Sequence, residues 1–154
     1  MMPVLVLLHL AGVIVWVGGM FFAHYCLRPV AAAQLQPAQR LPLLAGVLGR
    51  FFGAVEVAVG TILGSGFAMM LVVSFKNALL HWHVMMATGL VMAGVFVYID
   101  AVLYRRLAAA VAAEDWPAGG AAMERIRKLV AFNLHLGIAT ILIATLGAYF
   151  GRGL

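Results

Sequence analysis

Four apolar stretches, each long enough to cross a bilayer, constrain this chain more than any other feature. They cover about residues 4–27, 51–75, 79–104 and 129–150. A helical span needs about 20 predominantly apolar residues to cross the hydrocarbon core. There every backbone polar group must be satisfied within the segment, which for such stretches means helix. The expected fold class is therefore all-α, an integral membrane four-helix bundle forming a single domain. Composition excludes the soluble alternative: 10% of the residues are charged, against about 25% in soluble domains. Such a chain lacks the polar side chains to cover a water-facing surface.

Polar residues mark the joints between spans. Arg28-Pro29 closes the first span, because proline disfavours helix in the residue before it. Residues 31–42, with Gln34, Gln36, Pro37, Gln39 and Arg40, read as a polar loop. The third span is expected to continue as a helix through Ala113. Glu114-Asp115-Trp116-Pro117 and Gly119-Gly120 then form a turn. Residues 121–128 read as an amphipathic approach to the fourth span, with Glu124 and Lys128 sharing a face. Gly60 and Gly64 form a GxxxG pair that suits close helix packing. The N-terminus lacks a basic flank and an obvious small-residue cleavage site, so the first span is expected to be a retained helix.

The basic residues orient the bundle. Arg28, Arg40, Arg50, Arg105, Arg106, Arg125, Arg127 and Lys128 fall at one end, and only Lys76 and Arg152 at the other. Positively charged loops stay in the cytoplasm, so both termini are expected outside, in a multi-pass protein of a bacterial inner membrane. The net charge of +5 reflects this topology and does not predict a nucleic-acid partner; the partner is the lipid bilayer. The lone Cys26 cannot form an internal disulfide.

Ionisable side chains in lipid are costly, and each is a candidate functional group. All five histidines lie within or at the edge of a span. At 1.5 Å per residue, His9 lies roughly 8 Å inside the outer boundary and His135 roughly 9 Å inside the cytoplasmic one. His9, His81 and His83 form an outer level. His24 and His135 form an inner one, which also holds Glu56, Asp100 and Asn133. Glu56 could pair with Arg50. On the first helix, His9, Gly12, Trp16, Gly19 and Ala23 share one stripe facing the bundle. Met69, Met70, Met85 and Met86 join the outer level, and imidazole with thioether is the donor set that soft Cu(I) prefers. The expected metal ligands are His9, His81, His83, Met69, Met85 and Met86. Haem b is the competing cofactor, since histidine pairs on facing helices hold haem in four-helix bundles. The pairs would be His9 with His83 and His24 with His135, passing electrons to or from a quinol. On that reading any catalysis would be that of a haem-dependent membrane oxidoreductase.

The run His9-Leu-Ala-Gly-Val-Ile-Val-Trp16-Val-Gly-Gly19-Met-Phe-Phe resembles the first-helix motif of the copper resistance protein D (CopD) family. Arg28-Pro29, Arg50-Phe51-Phe52 and Trp82-His83 are similar too, so the likeness runs along essentially the whole chain. It implies a stand-alone four-helix form that handles copper at its periplasmic face, with a periplasmic copper protein as the implied partner. The His9–Trp16 spacing also resembles the HemJ-type protoporphyrinogen oxidases, which are thought to bind haem b. Their third-helix motif is Trp-x-His-x-Lys; here His81 and Met85 stand at its tryptophan and lysine positions, and His83 matches.

Overall fold

The computed structural model describes residues 1–150, and it consists of four long helices. We call them α1 (Met2–Gln34), α2 (Pro37–Val73), α3 (Leu80–Ala112) and α4 (Trp116–Phe150). Each is long and apolar enough to span a membrane. At 1.5 Å per residue they reach about 50 Å, well beyond a hydrocarbon core of about 30 Å. The excess lies at the end that carries the basic residues. We call this the basic end, and the opposite one, where Met1, Phe150 and the α2–α3 connection lie, the terminal end.

The helix limits differ from the sequence expectation at two joints. α1 does not stop at Arg28-Pro29. Its turn over Phe22–Leu27 widens to π-helical geometry, with the Arg28 N–H donating to the Ala23 carbonyl five residues back. The α-helix then resumes over Arg28–Gln34, which puts Pro29 in a first turn, where a missing N–H goes unused. The expected 31–42 loop accordingly shrinks to Leu35 and Gln36, both in extended conformation. Extension suits Gln36, which precedes Pro37. Pro42 lies inside α2 on its exposed side. At the other basic-end joint the third helix ends at Ala112, one residue short of the expected Ala113, but α4 starts at Trp116 and absorbs Gly119-Gly120. Gly119 is buried against Leu41, so its lack of a side chain serves packing.

α1 packs along α2 and α3 along α4. α1 and α2 approach closely at Gly12, where a Cβ would lie 2.7 Å from Ile62 Cγ1 and 3.0 Å from the Ala58 carbonyl oxygen. The α1 stripe faces inward as its spacing requires: Gly12, Trp16 and Met20 are buried. A layer of aromatic rings crosses the middle of the bundle. Phe96 meets Trp16 edge-on at 6.2 Å and Phe52 edge-on at 5.7 Å, and Phe52 meets Tyr104 at 5.4 Å. Outward-facing side chains such as Leu7, Ile14, Val57 and Leu71 are apolar and largely exposed, which suits a surface bathed in lipid. Gly60 and Gly64 also face outward, where a Cβ would meet nothing, so the GxxxG pair does not pack this bundle.

Candidate metal centre at the terminal end

Between the aromatic layer and the terminal end the four helices line a half-open cavity of about 360 Å³. α1 contributes His9 and Trp16, α2 Met69 and Met70, and α3 His81, Trp82, Met85 and Met86; α4 closes one side with Gly137 and Thr140. Five of the six expected metal ligands therefore line one space: His9, His81, Met69, Met85 and Met86. His83 does not line it. Two residues along a helix is a turn of about 200°, so His81 and His83 cannot both face the same interior. His83 Nδ1 instead lies 3.4 Å from the Leu79 carbonyl of its own helix.

The two cavity histidines are held differently. His9 is half-buried, and its Nδ1 lies 3.1 Å from both the Ile62 carbonyl oxygen and Ser65 Oγ on α2. Its ring lies over Gly66, where a Cβ would come within 3.3 Å of His9 Cε1. The His81 ring occupies the space above Gly147 of α4, and any side chain there would overlap it. Nearby, Thr140 donates to the Thr88 hydroxyl across α3 and α4 at 2.9 Å or to its own Leu136 carbonyl at 2.8 Å. No Asp, Glu or Cys among the described residues lines the cavity. Among the described residues no three His, Cys, Asp or Glu side chains cluster as a metal site. Any metal held here would rely on thioethers beside imidazole, a donor set that fits a soft monovalent ion.

The inner level is not assembled in this way. His24 lines a slot of only about 40 Å³ with Arg28 and Arg127, and His135 does not line it. His135 is exposed, with its Nδ1 2.6 Å from the Ala131 carbonyl of its own helix. Neither pair expected for haem, His9 with His83 or His24 with His135, lines either of these two spaces together. Glu56 faces outward on α2 and makes no ion pair with Arg50; among the described residues the ion pairs are those of Glu124 with Arg127 and Lys128. Asp100 is half-buried in a second π-helical turn, Ile99–Tyr104. Asn133 is buried and donates to the Met92 carbonyl at 3.0 Å, which leaves its Oδ1 unpartnered.

Gly66 and Gly147 could be read from the sequence only as two of many span glycines, and Ser65 was not singled out. The signal for Ser65 was a hydroxyl within an apolar span, one it shares with Thr61. The glycines carried none, because a glycine that makes room for a ring looks like any other.

Residues 45–146, more than half of the chain, match the family Copper resistance protein D. The chain belongs to the CopD family. No curated protein and no solved structure matches it. The CopD match includes α3 with His81, the five methionines of the cavity, and Ser65, Gly66 and most of α4. It begins after α1, so the first-helix resemblance around His9 and Trp16 lies outside the matched residues.

Proposed function

We propose that this CopD-family membrane protein binds and exchanges monovalent copper in the terminal-end cavity. His9 and His81 would supply imidazole nitrogen, and Met69, Met85 and Met86 thioether sulfur. The observation that carries this reading is the convergence of those five side chains, from three helices, on one cavity. Neutral soft donors in an apolar pocket favour Cu(I) over a divalent ion, whose larger charge would stand without an anionic ligand. The basic residues at the far end support an orientation with the termini and the cavity on the periplasmic side of a bacterial inner membrane. Below the cavity, Trp16, Phe52 and Phe96 pack into a closed layer. That closure favours loading and unloading through one mouth, in exchange with a soluble copper carrier, over passage through the bundle.

Anaerobic titration of the purified protein in detergent with Cu(I), against a coloured Cu(I) chelator, tests the proposal. One copper per chain is expected, with binding weakened in His9→Ala and in His81→Ala and kept in His83→Ala. Absence of binding, or equal binding by the His9→Ala, His81→Ala double variant, overturns it. So does a preparation that carries a Soret band and no copper.

A further inference from the structure

The histidine on α1 is held by a part of α2 that can be read atom by atom. His9 Nδ1 faces two groups, the Ile62 carbonyl oxygen and Ser65 Oγ, each at 3.1 Å. A carbonyl oxygen only accepts. Any hydrogen bond to Ile62 therefore requires the proton on Nδ1. The serine makes the same demand. Its single hydroxyl proton lies in reach of the Thr61 carbonyl at 2.6 Å and the Ile62 carbonyl at 3.2 Å, both on its own helix. With that proton given to its own backbone, Oγ presents only lone pairs to His9.

Both partners thus select one tautomer, with the proton on Nδ1 and the lone pair on Nε2. Burial strengthens the selection: Ser65 is 5% exposed, so water does not compete for its lone pairs. The backbone helps as well. Ile62 O already serves the helix ladder, and its second lone pair is within reach because Gly66 carries no side chain over it.

We infer that Ser65, with the Ile62 carbonyl and the bare backbone of Gly66, fixes His9 as the Nδ1–H tautomer and presents Nε2 to the cavity as the copper-binding atom. The inference rests on the copper reading for its consequence and on geometry alone for the tautomer. Ser65 is then a positioning residue, acting on the metal only through His9. Groups that orient a ligating histidine typically contribute 10–100-fold to metal affinity. The Ile62 carbonyl persists in Ser65→Ala, so the lower end, about tenfold, is expected there. His81 has no such hydrogen bond among the described residues and is placed by the space above Gly147. The site therefore pairs one oriented imidazole with one free to turn.

The test is nitrogen NMR of metal-free protein labelled with ¹⁵N-histidine, in micelles at a pH where imidazole is neutral. The His9 signals are identified by their loss in His9→Gln. Wild-type His9 is expected to show a protonated Nδ1 and a bare Nε2. Ser65→Ala should mix the two tautomers and weaken Cu(I) binding about tenfold at an unchanged thermal midpoint. Ser65→Thr, which restores a hydroxyl, should recover both. An Nε2–H tautomer in the wild type overturns the inference even if no serine variant folds. A folded Ser65→Ala with unchanged tautomer and affinity overturns it as well. If His9→Gln binds copper as the wild type does, the copper reading fails, while the tautomer result still decides whether the lock exists.

Discussion

The two ends of this bundle are built from the same helices and packed in opposite ways. At the basic end the chain fills its interior: Leu103, Leu107, Ile126 and Leu134 are almost wholly buried, and the slot beside His24 is about 40 Å³. At the terminal end the same four helices leave about 360 Å³ open, lined by two histidines and five methionines. In lipid, helices associate by van der Waals packing and polar contacts, because no hydrophobic force draws them together. An unfilled interior forfeits the contacts that hold such a bundle. A cavity of this size persists at a cost in stability, for which the copper reading proposed above would supply a reason. Histidine content does not separate the two ends, since both have them. What separates them is whether the imidazoles face a shared space.

Changing the histidines at each end in turn is the largest test of that contrast. The His9→Ala, His81→Ala double variant should lower Cu(I) affinity at least 100-fold. The His24→Ala, His135→Ala double variant should stay within twofold of wild type in the same chelator competition. The packed layer is tested next. Phe96→Ala removes the edge-on partner of both Trp16 and Phe52, and a buried phenylalanine truncated to alanine costs about 3–5 kcal/mol. A fall in thermal midpoint of roughly 6–20 °C is expected in detergent, at 2–4 °C per kcal/mol for a chain of this size. Copper affinity should hold if the cavity is independent of the layer below it.

Glycine substitutions sharpen the comparison at single-atom scale. In Gly147→Ala the new methyl group would overlap the His81 ring, and about a tenfold weaker copper affinity is expected. Gly60→Ala adds the same atom where nothing lies within 4 Å and should leave affinity unchanged. The smallest effect belongs to the basic end. Hydrogen bonds from Arg127 hold the Glu124 carboxyl below its usual range. A depressed carboxyl stabilises above its unfolded pKa and loses that contribution as pH falls through the folded one. The pair is exposed, so Glu124→Gln should barely move the thermal midpoint at neutral pH, and the difference should vanish in acid.

Much of this arrangement could be read from residue order. The four spans follow from apolar length, and the inward stripe of α1 from the spacing of Gly12, Trp16 and Gly19. Proline rules failed at Arg28-Pro29 because a π-helical turn six residues long resets the ladder before the ring arrives. Nothing in the side chains announces such a turn. The choice between His81 and His83 was legible in part. Counting back from Phe96 through Met92, Gly89 and Met85 in steps of three and four reaches His81 and misses His83. The Trp-His pattern shared with known families pointed the other way. GxxxG misled for a simpler reason: the spacing describes a flat strip on one helix and does not say which neighbour, if any, lies against it. The His9–Ser65 contact joins residues 56 apart, and no local pattern encodes it.

X-ray absorption at the copper edge tests the central claim most directly, since it reads the atoms around the metal. Cu(I)-loaded protein should show both nitrogen and sulfur neighbours. The nitrogen contribution should fall in His81→Ala and the sulfur contribution in a Met85→Leu, Met86→Leu double variant, while His24→Ala and His135→Ala change neither. A first shell without sulfur, or one untouched by losing His9 and His81, would contradict a copper site in the terminal-end cavity.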